Sequence, residues 1–216
     1  MASTVGSVLD LRFHVEDAAT VEYAAVPTIG FDLRIESGRR EIRSLMLDVQ
    51  VQIPARRRVH DPDDERLFDL FGDPSGWKDS LRTLPWMRTA LVVPGFSGET
   101  VVQLPMPCSY DFEVTAARYL ASLEDGEVPL EFMFYGTAFY AGPGGLLQTA
   151  HVDWSSEAEY RMPASVWHET MEHYFPRSAW LRVSKDTFDR LHAYRSKHAL
   201  LSWERALDSL LDGKES

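Results

Sequence analysis

Leu9-Asp10-Leu11-Arg12-Phe13-His14-Val15 alternates apolar and polar side chains, the pattern of a strand with one buried face. Phe31-Asp32-Leu33-Arg34-Ile35 repeats it and stops at Ser37-Gly38, a turn signal. From Ile42 to Ile53 it returns with Leu45, Leu47, Val49 and Val51, and Pro54 closes the run because proline cannot donate to a ladder. Further strands are expected at Thr89–Val93 and Thr100–Leu104, with a turn at Pro94-Gly95-Phe96-Ser97-Gly98 between them. The aromatic run Leu130–Tyr140 reads as a core strand that Gly142-Pro143-Gly144-Gly145 turns back into Leu147–Trp154, and Tyr160–Met162 reads as a last edge strand.

Helical spacing takes over in three places. Tyr110, Phe112 and Val114 alternate, and Ala117, Leu120 and Leu123 then repeat every three residues, so a strand gives way to a short helix that stops at Gly126. Val166, Trp167, Met171 and Tyr174 mark a helix ending before Pro176. Phe188, Leu191 and Tyr194 mark another, and Ser202 caps a last one carrying Trp203, Ala206, Leu207, Leu210 and Leu211. The pattern predicts an α+β protein, mainly an antiparallel β-sandwich of about eight strands. A sandwich-like domain over residues 8–163 carries a short helical insert, and a C-terminal helical appendage over residues 164–216 packs on it.

The insert, Arg56 to Trp86, is the one long stretch without strand alternation. Asp61-Pro62 starts a short helix as N-cap and first helical residue, and Leu67, Phe68, Leu70 and Phe71 give that helix an apolar side ending at Gly72. Loops this long in compact domains are usually functional, and this one is too aromatic for disorder. Its aromatics either cover one open end of the sandwich or stand exposed as anchors for a partner. The second case makes Arg56, Arg57, Arg58, Phe71, Trp77 and Trp86 partner-binding candidates, the arginines forming a polar rim.

With 216 residues, 22 Lys and Arg, and 33 Asp and Glu, the net charge is −11, which speaks against a protein that coats nucleic acid or anionic lipid. At 44% hydrophobic residues the chain can bury a real core. A single cysteine, Cys108, excludes an internal disulfide framework. No apolar run approaches the ~18 residues of a membrane span, and Met1-Ala2-Ser3-Thr4 begins no signal peptide, so a cytoplasmic protein is expected.

Catalytic patterns fail one by one. In His168-Glu169-Thr170-Met171-Glu172-His173 the histidines are five apart, where a zinc-binding helix needs four to place both on one face. Gly95-Phe96-Ser97-Gly98-Glu99 lacks the last glycine of a nucleophile elbow, and strand rather than helix follows it. Pro143 has no amide hydrogen to give a phosphate. Cys108 reads as a buried structural thiol, and His151 with Asp153 as a surface pair.

Pro105-Met106-Pro107-Cys108-Ser109-Tyr110-Asp111-Phe112-Glu113-Val114-Thr115-Ala116-Ala117, followed by Asp125-Gly126-Glu127-Val128-Pro129-Leu130, resembles an uncharacterised actinobacterial family encoded beside high-affinity nickel–iron hydrogenases. Trp86, Gly95–Gly98, Gly136-Thr137 with Phe139, Tyr174-Phe175-Pro176 and Ser202-Trp203 extend the resemblance over residues 9–211. It implies a context of hydrogenase assembly or support and no reaction. The expectation is a non-catalytic accessory protein that binds a nickel–iron hydrogenase subunit or maturation factor, with no cofactor, no nucleic acid partner and no membrane span. Its oligomeric state is left open. One alternative is an enzyme or metal chaperone with a site built from Cys108 and scattered histidines. Another is a ribbon-helix-helix-like DNA-binding appendage over residues 180–211.

Overall fold

The structure, a computed structural model, describes residues 9–61, 65–77, 81–108, 115–178 and 182–213. The chain divides into two compact units, residues 1–179 and 180–216. The first holds an antiparallel sheet of strands β1 (Arg12–Thr20), β2 (Thr28–Pro54), β3 (Thr83–Pro107), β4 (Glu127–Ala141) and β5 (Leu147–Pro163). It also holds helices α1 (Glu65–Phe71), α2 (Thr115–Ser122) and α3 (Ala164–Tyr174). The second holds α4 (Lys185–Lys197) and α5 (Trp203–Asp212).

The sandwich is built from five long strands among the described residues, where about eight short ones were expected. β2 and β3 each run through both layers. The first part of β2 pairs with β1 and with the end of β3, and its second part pairs with the start of β3 and with β4. The layers meet through aromatic side chains: Phe13 stacks on Phe134 at 4.3 Å, and Phe31 meets Phe132 edge-on at 5.2 Å.

Ser37-Gly38 and Pro94–Gly98 are therefore not hairpin turns. Between the pairs Glu36↔Glu99 and Glu41↔Ser97 the register slips, and β2 carries four residues there against one, Gly98, on β3. Gly98 supplies a positive φ of 77° at this bulge, a conformation that costs glycine little. The slip also moves the buried set of β3 from even positions (Leu104, Met106) to odd ones (Val93).

Four prolines (Pro85, Pro94, Pro105 and Pro107) lie within β3. β3 pairs only with β2, so their nitrogens take the free edge, where no donor is needed. Such an edge resists addition of another strand. The segment expected to be loop-like as far as Trp86 is strand from Thr83 onward.

Helix α3 belongs to the first unit, whereas the sequence reading placed residues 164–174 in the appendage. Trp167 is fully buried and meets Trp86 at 6.5 Å, and Thr170 shares a 2.8 Å hydrogen bond with Thr20 of β1. The Tyr174 hydroxyl donates to the Val21 carbonyl at 2.5 Å and accepts from the Ala24 amide at 3.0 Å, tying down the β1–β2 loop.

In the second unit, Arg182–Ser184 form no strand; Ser184 instead caps α4 by accepting the Thr187 amide. That removes the strand which a ribbon-helix-helix reading needs from these three residues. Pro62, the strand reading over 110–114 and the start of the 180–184 strand lie outside the described residues. No described helix is long and apolar enough to cross a membrane.

Candidate functional site

The 56–86 insert closes over its own aromatics. Phe71 and Trp77 are buried at 8% and 7% exposure, a correction to their reading as exposed anchors. The apolar side of α1 turns inward, and Phe71 packs 5.9 Å from Tyr119 of α2. Trp77 lies 6.1 Å from His60 and donates its indole N–H to the Gly72 carbonyl at 2.9 Å. Trp86 is half-buried and faces Phe31 at 6.2 Å. Of the large aromatics here, Phe68 is the more exposed.

The three arginines differ. Arg56 is exposed, and its Nε reaches the Leu81 carbonyl at 3.4 Å. Arg57 bridges Glu131 of β4 at 2.7 Å and Glu159 of β5 at 2.8 Å. Arg58 donates to the carbonyls of Asp125 and Glu127 at 2.7 Å each, so its fork clamps the α2–β4 loop. Beside it opens a polar cleft of about 590 Å³, lined by Arg58, His60, Asp61, Arg66 and Glu124 among others. Its two arginines are engaged, Arg66 with Glu124 and Arg58 with the loop carbonyls. His60 Nε2 lies 2.9 Å from the Tyr119 hydroxyl, whose pKa burial pushes up to about 12 while the Arg58 charge works the other way.

The residues proposed for a metal or thiol site are spread through structural roles. Cys108 is buried, its thiol donates to the Met106 carbonyl at 3.3 Å, and burial raises its pKa to about 12, far from a reactive thiolate. His168 bonds the Leu123 carbonyl at 2.6 Å, and His173 the Glu22 carbonyl at 3.1 Å. Among the described residues no group of three or more His, Cys, Asp or Glu side chains gathers to hold a metal.

The feature that sequence reasoning missed is the outer face of the second layer. In β2, Leu45, Leu47, Val49 and Val51 point inward, so Ser44, Met46, Asp48 and Gln50 point out. Met46 stands opposite Val92 of β3 and Thr137 of β4, and Thr137 stands opposite His151 of β5. One row further, Ser44 pairs with Pro94 and Phe139; beyond it, Ala141 pairs with Leu147. Val92 is 65% exposed, Leu147 64% and Met46 52%.

An open antiparallel face is normally polar. This one is apolar at the Val92–Leu147 end and charged at the other, where Glu131, Glu157 and Glu159 point out. The signal was present: Leu130–Tyr140 is apolar at both parities, although only Leu130, Phe132, Phe134, Ala138 and Tyr140 are buried. Contiguous apolar surface on a folded protein marks a binding face.

Nine chains of solved structure resemble this one. A late embryogenesis abundant (LEA) protein covers 74% of this chain and 76% of its own at 11% identity, with a TM-score of 0.34. The CARDB domain of a Pyrococcus furiosus protein, solved with di-metal ions, covers 71% and 90% at 8% identity, with a TM-score of 0.26. No curated protein matches. One family model spans residues 8–216, and on that match the chain belongs to a family of unknown function, DUF6084.

Proposed function

We propose that this protein is a non-catalytic accessory protein that binds a subunit of a nickel–iron hydrogenase or one of its maturation factors. The observation that carries a binding role is the open sheet face, where Val92, Met46 and Leu147 stand exposed beside Phe139. Leaving such side chains in water stabilises nothing in the free chain. Covering them in a complex gains roughly 25 cal/mol per Å² of apolar area, before the cost of association. The proline-bearing edge of β3 points the same way, because it disfavours strand addition and leaves the face as the contact. The identity of the partner rests on the resemblance of Pro105–Ala117 and Asp125–Leu130 to a family encoded beside hydrogenases.

The test is co-purification from a host that expresses the hydrogenase, comparing the native chain with a Met46→Glu, Val92→Glu variant. Retention of the hydrogenase subunit or maturation factor by the native chain and its loss from the variant, at an unchanged melting temperature, is the expected result. Equal recovery by both chains would refute the face, and absence of these proteins from both would refute the partner.

A further inference from the structure

The unit of residues 180–216 has almost no interior. Across its two helices only Ala206 is buried, while Phe188, Trp203, Leu207, Leu210 and Leu211 remain exposed, as does Leu201 in the connection. Trp203 lies 5.3 Å from Phe188, Arg195 stacks over the indole at 4.0 Å, and the Tyr194 hydroxyl bonds Ser209 at 2.9 Å. These contacts join α4 to α5 along one side of α5. At about 100° per residue, Trp203, Leu207, Leu210 and Leu211 then form a stripe roughly 120° wide that extends beyond that side.

We infer that this hairpin dimerises with the hairpin of a second copy of the chain, closing a four-helix bundle over the stripe. Three observations favour a second copy. The first is area: the exposed apolar side chains of the hairpin offer on the order of 500 Å², close to the ~65% apolar share of the ~800 Å² that each partner contributes to a standard interface. The second is charge within the hairpin. Helix α4 carries four Lys and Arg against two Asp, and α5 carries one Arg against three Asp and Glu. A two-fold arrangement that sets α4 against α5 of the partner copy therefore brings net +2 against net −2 at both rims.

The third is charge between the units. Residues 180–216 hold seven Lys and Arg against six Asp and Glu, a net +1, which leaves 15 against 27, a net −12, for residues 1–179. Contact through the nearly neutral hairpins avoids apposing the acidic units. Helices of this length need such packing, because isolated helices shorter than about 12–15 residues are marginal in water.

Sedimentation of the full chain from 1 to 100 µM tests this. The native chain is expected to sediment as a dimer, and Leu207→Glu, Leu211→Glu as a monomer with at least a 100-fold weaker association. A native chain that stays monomeric at 100 µM overturns the proposal, since another partner or none then covers the stripe; an undiminished dimer in the variant overturns it as well. Cross-linking reads the same contact without a destabilising change. Cys108 is buried, so Leu211→Cys adds the one accessible thiol among the described residues. A short bismaleimide should couple this variant into covalent dimers and leave the native chain uncoupled. Absence of coupled dimers at concentrations where the native chain sediments as a dimer refutes a hairpin interface.

Discussion

Gly136 of β4 passes so close to Met46 of β2 that a Cβ at position 136 would stand 2.0 Å from the Met46 carbonyl oxygen. Its φ of 154° is also one that side-chain-bearing residues rarely adopt. The close approach sits where β5 bulges against β4, between the pairs Phe134↔Ser156 and Gly136↔Val152. A glycine here lets the second layer bend beneath the apolar face.

Gly136→Ala must therefore push β4 away from β2. Backbone strain and overpacking each cost about 1–3 kcal/mol, so a loss of roughly 2–4 kcal/mol is expected. At about 2–4 °C per kcal/mol for a chain of this size, thermal melting should fall by roughly 5–15 °C. A melt within 2 °C of the native chain would show that β4 yields without cost.

Trp77→Ala tests the insert as a lid. The indole is buried beside His60 and Phe68 and donates to the Gly72 carbonyl, so truncation opens a cavity and orphans an acceptor. Such truncations cost about 3–5 kcal/mol. Denaturant unfolding that shows less than about 1 kcal/mol of loss would return Trp77 to the role of a surface anchor.

The strands were legible where alternation had one buried side: Leu45 to Ile53 reads as strand and is strand. Their ends were not legible. Ser37-Gly38 and Gly95–Gly98 carry turn residues, and turn residues serve a bulge inside a long strand as well as the end of a short one. The prolines of β3 misled for a related reason, since proline stops a central strand but suits an edge, and the edge is a property of the whole sheet. Helix α3 was readable as a helix, but nothing in Val166, Trp167 and Met171 tells which unit they pack against. The open face was hidden in Leu130–Tyr140, where Met133, Tyr135 and Phe139 have the same composition as the core positions between them. Sequence shows that both faces are apolar; only the fold shows which one is left uncovered.

Two buried acids should make the protein fail at alkaline pH. Burial raises Cys108 to about 12, against a lowering by a backbone hydrogen bond at Ile29, and raises Tyr119 to about 12. In the unfolded chain these groups ionise near 8.5 and 10. Their contribution is full below about pH 8.5 and is lost as pH rises towards 12, because the unfolded state then binds fewer protons. Denaturant midpoints should fall progressively between pH 8.5 and 11, and less steeply in Cys108→Ala. A flat profile over that range would place both groups in contact with water. The same burial predicts that a thiol reagent at pH 8 labels Cys108 only after unfolding.

Trp203 was expected to anchor the last helix on the rest of the molecule, and its recorded ring contacts instead lie within residues 180–216. The indole is held between Arg195, Phe188 and His192, the last at 6.1 Å, so it is the main aromatic joint of a hairpin with one buried residue. Losing it removes the cation–π contact, worth about 0.5–2 kcal/mol, together with the ring packing against Phe188. A hairpin with so little interior does not survive that loss. Trp203→Ala should therefore lower the helical circular dichroism signal and open α4 and α5 to limited proteolysis. The melting temperature of the sheet should move by no more than about 2 °C, since the joint contributes to the hairpin alone. A fall of several degrees in the sheet transition would show that the indole also supports the first unit, and unchanged proteolysis would show that the helices hold together without it.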